Sequence, residues 1–203
     1  MKLRELKSII MRPDVYKEGL KNFSRSFSCE FRERAVLVEI GSYAGESTEI
    51  LSKGFYLVFA IDPWDSNPES MDSSSTERYN AGIVDAEKSF DYMRQMRPNI
   101  IKLKGNDDLF TYAFSENSID VLYIDGFHTF EDVKKNIFNW YLKVKVGGFI
   151  CGHDYKEETP GVIQAVDAVL GQEKELFDDT SWKFLMTQDL KERIEEFYEQ
   201  DKM

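Results

Sequence analysis

Short apolar runs rich in β-branched residues alternate along the chain with longer stretches in which apolar positions recur at helical spacing. Five of these runs predict strands, at 35–40, 56–61, 100–103, 119–124 and 147–152. Two later stretches, 173–178 and 182–187, predict a closing antiparallel pair. This alternation is typical of βαβ units. It predicts an α/β fold with a doubly wound, mostly parallel sheet of seven strands and an antiparallel pair at its C-terminal end.

The segments around these strands complete a single predicted domain of 203 residues, a length that suits one core better than two. We expect residues 1–34 to form a helical lead-in, 35–187 the core and 188–203 a C-terminal helix. The polar stretch 65–79 predicts a mobile insertion beside the site, followed by a helix from about residue 82 to 95.

Composition restricts the class of partner. The 15 Phe, 10 Tyr and 3 Trp predict a packed globule rather than a disordered chain. A net charge of −11 disfavours nucleic acid and anionic membranes as partners. The chain shows neither a membrane-length apolar run nor a signal peptide, so we expect it to be cytoplasmic. Cys29 and Cys151 have no metal-site or disulfide spacing and are interpreted as ordinary thiols, Cys151 being buried.

The turn after the first strand and the end of the second predict a nucleotide-type pocket. Gly41 and Gly45 flank Ser42 and Tyr43 in a turn where glycine permits positive φ and close approach of a ligand, although a purely structural turn is equally consistent. Asp62 follows about twenty residues later, where an acid commonly accepts hydrogen bonds from ribose hydroxyls. The alternative for Asp62 is a helix N-cap.

Asn106 and Asp107 follow the third strand, at the position where short polar side chains would meet the edge of an adenine ring. Asp107 could equally cap a helix that begins at Leu109.

The two histidines of the chain both follow strand ends, and each lies near an aspartate: Asp125 precedes His128 by three residues, and His153 directly precedes Asp154. Two carboxylates at neighbouring strand ends suit a hard divalent cation, and an imidazole beside them could remove a proton. The alternatives are hydrogen-bonded structural histidines and no metal.

Four stretches together resemble the class I S-adenosylmethionine-dependent methyltransferases, a Rossmann-like family. They read VEIGSYAGEST (38–48), AIDPW (60–64), VLYIDGFH (121–128) and VGGFICGHD (146–154). The resemblance covers about residues 35–187, and its last two stretches are the more specific. More narrowly, the chain is similar to a small bacterial group allied to the sugar O-methyltransferases of macrolide biosynthesis.

The resemblance implies a cofactor-binding set that comprises Glu39, Gly41, Ser42, Tyr43, Gly45, Asp62, Trp64, Asn106, Asp107 and Asp125. In this set, Glu39 and the glycine turn shape the pocket for the methionine moiety, and Asp62 holds the ribose. The pair after the third strand approaches adenine, and Trp64 packs over the cofactor.

The resemblance further implies a metal site of Asp125, His153 and Asp154, with His128 and Asp125 as the catalytic residues and His128 as the base. His153 stands where the sugar enzymes tend to carry an acid. Nitrogen is a poorer ligand for Mg²⁺ than oxygen, so the ion would be softer than Mg²⁺, or absent.

The leading hypothesis is therefore methyl transfer from S-adenosylmethionine to a hydroxyl of a small-molecule acceptor of sugar or natural-product type. Residues 1–34 and 65–79 are expected to build the acceptor pocket. One alternative, an NAD-dependent oxidoreductase, is weakened because the turn lacks Gly-x-Gly-x-x-Gly. Two further alternatives stay open: a metal-dependent hydrolase or hydroxylase, and a non-catalytic nucleotide-binding module. The sequence also leaves open whether the protein forms a homo-oligomer.

Overall fold

A central sheet with helices on both faces organises the part of the chain that the computed structural model describes, residues 13–65 and 73–202, with side chains given outside 73–81. The strands are β1 (Val36–Ile40), β2 (Leu57–Asp62), β3 (Ile100–Lys104), β4 (Ile119–Ile124), β5 (Val144–Gly152), β6 (Glu175–Leu176) and β7 (Trp182–Leu185). The helices are α1 (Asp14–Arg25), α2 (Cys29–Arg32), α3 (Glu46–Ser52), α4 (Ser73–Arg94), α5 (Asp107–Phe110), α6 (Phe130–Trp140), α7 (Pro160–Val169) and α8 (Gln188–Asp201). No helix within these ranges has the length and apolarity that a bilayer crossing requires.

The strand order is β3-β2-β1-β4-β5-β7-β6. Strands β1 to β5 pair in parallel, whereas β7 runs antiparallel to both β5 and β6. The predicted fold class, including the antiparallel pair, is thereby confirmed, although β6 is shorter than expected. The order reverses between β1 and β4, and in such sheets ligands bind beyond the carboxyl ends of the strands at this point.

Strand register brings the predicted site residues to one edge. Ile40 lies opposite both Ile61 and Ile124, and Ile124 lies opposite Gly152. The residues that follow these positions are Gly41, Asp62, Asp125 and His153. They therefore form a continuous row along the carboxyl edge of four adjacent strands.

The two faces of the sheet are packed by different helices because successive side chains of a strand point to opposite sides. On one face Val38 and Ile40 join a core that includes residues of α6, α7 and α8. On the other, Leu37 joins a core with residues of α1 and α3. Glu39 projects to this second face and is fully buried there, while Cys151 is buried on the same face as predicted.

Helix α1 is held close to the carboxyl edge of the sheet by apolar contacts and by a glycine. Leu20 and Phe23 are completely buried. A Cβ atom at Gly19 would lie 2.6 Å from both the backbone nitrogen and the Cβ atom of Asp179, so only glycine allows this approach. Residues 14–25 and 29–32 of the predicted lead-in are helical, and residues 1–12 lie outside the described residues.

The expected boundary of the helix after β2 was wrong. Helix α4 begins at Ser73 rather than near residue 82, so residues 73–79 are helical instead of forming an insertion. The segment 73–81 contains neither Pro nor Gly, and its polar composition suits a solvent-facing helix as well as a loop. The remainder of the expected insertion, 66–72, lies outside the described residues.

Candidate functional site

The turn after β1 packs closely against the backbone that follows β4. Gly41 and Gly45 have φ values of 90° and 87°, in the region that favours glycine. A Cβ atom at Gly41 would collide with the carbonyl oxygen of Asp125. The Gly41 amide donates to the carbonyl of Ile61 at 2.8 Å, which ties the turn to β2. Both contacts fix the position of the turn at the carboxyl edge of the sheet.

Asp62 joins this turn to the loop after β2. Its side chain is buried, with Oδ2 accepting from the Tyr43 amide at 2.9 Å and Oδ1 accepting from the Trp64 amide at 2.8 Å. The carboxylate is thereby oriented at the carboxyl end of β2, the position from which a ribose would be bound.

Trp64 supports the same loop from the side of α4. Its indole nitrogen donates to the Tyr43 carbonyl at 2.7 Å, and its ring lies 4.8 Å from that of Phe90 between centroids. The Lys102 ammonium lies 4.6 Å from the ring centroid. The described contacts of Trp64 are thus with the turn, α4 and β3, and its packing over the cofactor stays a prediction.

Glu39 anchors the turn and α3 from inside the protein. Its Oε2 accepts from the hydroxyls of Ser42, at 2.9 Å, and of Thr48, while Oε1 is buried without a hydrogen-bond partner among the described residues. Burial raises the pKa of Glu39 to about 7, against the lowering effect of hydrogen bonds from the Thr48 and Ser42 hydroxyls. A buried carboxyl with this pKa exchanges its proton near neutral pH.

Asn106 and Asp107, the two polar residues after β3, have different surroundings. Asn106 is exposed at the N-terminus of α5. Asp107 is the first residue of α5, so the expectation of a helix beginning at Leu109 was wrong. Its Oδ2 accepts from the Trp140 indole nitrogen of α6 at 2.9 Å. Burial raises the pKa of Asp107. The structure leaves Asn106 at the rim, and its approach to adenine, like that of Asp107, stays a prediction.

Asp125, His153 and Asp154 come together at the ends of β4 and β5. One potential ligand atom from each residue lies within 4.8 Å of the other two. His153 Nδ1 is 3.5 Å from Asp125 Oδ1 and 3.2 Å from Asp154 Oδ2. All three side chains are nine-tenths buried, with exposed fractions of 10%, 6% and 11% in chain order. Asp154 adopts φ 59°, a backbone conformation that non-glycine residues seldom hold outside functional sites or turns.

The Asp154 carboxylate is surrounded by positively charged or protonatable groups. His128 Nε2 lies 2.8 Å from Oδ2, and Lys156 Nζ lies 2.7 Å from Oδ1. Burial opposes ionisation, but contacts with His128 and His153 outweigh it and hold the pKa of Asp154 well below its usual range. The hydrogen bond to Asp154 also raises the pKa of His128, whose side chain is half-exposed.

The donor set fits a divalent ion. Two carboxylates and one imidazole suit an ion that accepts both oxygen and nitrogen ligands, such as Mn²⁺, Fe²⁺ or Zn²⁺. Neither ring nitrogen of His153 has a well-aligned hydrogen-bond partner within the described residues, although both are buried. A buried imidazole in this state is costly unless it meets a ligand.

Two residues of the site were not identified from the sequence. Lys156 follows Asp154 by two positions and had no motif to mark it. Tyr16 of α1 presents its ring edge-on to His153, with centroids 6.3 Å apart, although the two residues are 137 positions apart in the chain. Only the packing of α1 brings it to the site.

The chain matches the model of a family described as methyltransferase domain over residues 38–155. It is 28% identical over 159 residues to an uncharacterised protein, R132, of Acanthamoeba polyphaga mimivirus, covering 74% of this chain and 65% of that relative's length. The chain therefore spans less than two thirds of this curated relative.

Solved structures with the same fold include the O-methyltransferase NovP, with a TM-score of 0.59 and 18% identity, covering 85% of this chain and 80% of NovP. Another is the phosphoethanolamine N-methyltransferase 1 of Haemonchus contortus, solved with phosphoethanolamine and S-adenosylhomocysteine. Its TM-score is 0.51 and its identity 15%, covering 72% of this chain and 27% of the other.

Proposed function

The chain belongs to the methyltransferase domain family, and from this premise we propose that it transfers a methyl group from S-adenosylmethionine to a hydroxyl of a small-molecule acceptor. The observation that carries the proposal is the row of site residues at the carboxyl edge of β1, β2, β4 and β5. The row contains Gly41 of the glycine turn, the acid Asp62, and Asp125 and His153 of the cluster. All of them lie within residues 38–155, which the family model matches.

In this proposal the cofactor lies across the turn 41–45. The backbone around Ser42 and Tyr43 borders the methionine moiety, and Glu39 holds the turn in shape from beneath. Asp62 accepts hydrogen bonds from the ribose hydroxyls, and Asn106 borders the adenine. The cofactor methyl then projects toward the cluster that contains Asp125.

His128 is the proposed base. Its Nε2 donates to Asp154, so Nδ1 is the nitrogen that accepts the acceptor's proton, and the Asp154 carboxylate stabilises the imidazolium that results. The acceptor oxygen attacks the methyl carbon as the carbon–sulfur bond breaks, and the sulfonium becomes the neutral thioether of S-adenosylhomocysteine. Holding the oxygen in line with the methyl supplies most of the rate.

Asp125, His153 and Asp154 are the proposed ligands of a divalent ion. When bound, the ion would orient an acceptor hydroxyl and lower its pKa. The buried His153 nitrogens, which lack aligned partners among the described residues, support this ligand set.

The test is the formation of S-adenosylhomocysteine with a panel of sugars, phenols and amines, with and without Mn²⁺. The proposal expects turnover with hydroxylated acceptors and none without an acceptor. Turnover confined to amines would contradict O-methylation, and metal-dependent hydrolysis without S-adenosylmethionine would contradict methyl transfer altogether.

A further inference from the structure

Both oxygens of the Asp154 carboxylate are already contacted by side chains of the protein. Oδ1 lies 2.7 Å from the Lys156 ammonium. Oδ2 lies 2.8 Å from His128 Nε2 and 3.2 Å from His153 Nδ1. Each carboxylate oxygen has two lone pairs, so a divalent ion can bind Asp154 without removing Lys156 from Oδ1. The two positive charges would then repel each other across the same carboxylate.

Lys156 is held over Asp154 by the turn that follows β5. The Lys156 amide donates to the Asp154 carbonyl at 3.0 Å, and the Thr159 hydroxyl donates to the same carbonyl at 2.5 Å. On its other side the ammonium lies 5.8 Å from the centroid of the Tyr16 ring, at the outer range for a cation–π contact. The ion pair with Asp154 is therefore built by local backbone geometry and bordered by α1.

The Lys156 side chain can nevertheless leave the site. It is 27% exposed, and a lysine reaches its charge through a flexible four-carbon stem. His128 is also partly exposed, but it carries the proposed proton transfer. Among the groups that contact Asp154 in the described part of the chain, Lys156 is the one whose fixed positive charge opposes a second cation at close range.

We propose that Lys156 is a resident cation that competes with a divalent metal for the Asp154 carboxylate and so sets how readily the site is loaded. In the metal-free enzyme the ammonium neutralises Asp154. Movement of the ammonium toward solvent relieves the repulsion and favours loading. This inference rests on the metal site of the proposed function, but it concerns metal affinity rather than methyl transfer.

The experiment titrates the full chain, freed of metal with a chelator, with Mn²⁺ alone and measures the dissociation constant by calorimetry and electron paramagnetic resonance. We expect Lys156→Met to bind Mn²⁺ at least about tenfold more tightly than the wild type, which corresponds to about 1.4 kcal/mol. A residue that merely supports the fold would weaken the site when removed, so a gain in affinity distinguishes competition from support. Lys156→Gln, with a polar side chain, should show the same direction.

Lys145→Met is the matched control. Lys145 Nζ also lies 2.7 Å from an aspartate oxygen, that of Asp120, but at the opposite end of β4 and β5. The Mn²⁺ affinity of the Lys145→Met variant should stay within twofold of that of the wild type. An added Asp125→Asn change in the Lys156→Met background should remove the gain, because it removes a ligand.

Equal or weaker Mn²⁺ binding by Lys156→Met, no binding by that variant, or a gain that survives Asp125→Asn would each overturn the inference. A separate titration with S-adenosylmethionine keeps the two proposals distinguishable. Cofactor binding without a Lys156 effect on Mn²⁺ affinity rejects the inference alone, whereas the Lys156 effect without cofactor binding supports the inference and rejects the proposed function.

Discussion

Replacing Glu39 with glutamine should stabilise the folded protein at alkaline pH and have little such effect at acidic pH. Glu39 is completely buried, and burial raises the pKa of its carboxyl to about 7. A carboxyl whose pKa is raised by folding contributes most to stability below its unfolded pKa, and it loses that contribution as the pH rises through its folded pKa. Glutamine keeps the shape of the side chain but cannot ionise.

The size of the effect follows from the two pKa values. The pKa of Glu39 is about 7 in the folded state, against 4.5 in the unfolded state. The free energy of unfolding of the wild type should therefore fall by about 2.5 kcal/mol between about pH 5 and pH 8, a loss that the glutamine variant does not share. The hydroxyls of Ser42 and Thr48 can reorient toward the amide, so the variant keeps partners for its carbonyl oxygen.

Urea unfolding of both proteins at the two pH values measures this change, with chelator present and cofactor absent. The unfolding free energy of the variant minus that of the wild type should be about 2–3 kcal/mol larger at about pH 8 than at about pH 5. Glu30→Gln, at an exposed position of α2, is the control for a lost charge alone. A Glu39→Gln difference that is the same at both pH values would refute the reasoning.

Asp62→Ala should weaken S-adenosylmethionine binding by about 1–3 kcal/mol in calorimetry, because the ribose hydroxyls lose the carboxylate that accepts their hydrogen bonds. Unchanged affinity would remove Asp62 from the ribose site. His128→Ala should keep cofactor affinity within about twofold and lower turnover by about 10²-fold or more, and a variant with wild-type turnover would eliminate His128 as the base. Gly19→Ala should lower the unfolding free energy by about 1–3 kcal/mol, because its Cβ would lie 2.6 Å from Asp179 atoms. Gly126→Ala is the thermal-melt comparison, since the nearest atom to its Cβ would be 3.7 Å away; equal melting temperatures would contradict close packing at Gly19.

The sheet was predictable from the sequence because its strands are marked by local signals. Buried parallel strands read as short apolar runs, and glycine, asparagine or aspartate ends several of them. The run 119–124 coincides with β4, and the row of residues after the strand ends follows from parallel pairing alone. The sequence alone therefore groups Asp125, His153 and Asp154.

Contacts between distant segments could not be predicted in the same way. The polar residues at 73–79 predict an insertion although they are helical, because a solvent-facing helix and a loop share that composition. The partner of Asp107 is Trp140, which lies on another helix, and no local pattern pairs the two. Tyr16 reaches the site only because α1 packs closely enough at Gly19, a tertiary contact that a one-dimensional pattern does not encode.

The same limit applies to Lys156. Its position after Asp154 is visible in the sequence, but its placement on the carboxylate depends on the left-handed backbone of Asp154 and the turn that ends at Thr159. Turn chemistry of this kind is poorly marked in a single sequence because non-glycine residues adopt positive φ only where the surrounding structure imposes it.

Calorimetric titration with S-adenosylmethionine and, separately, with NAD tests the central claim most directly. Each titration is made with and without Mn²⁺, so that cofactor binding is separated from metal loading. The account predicts micromolar binding of S-adenosylmethionine and no binding of NAD under either condition. Binding of NAD, or no binding of S-adenosylmethionine, would contradict it.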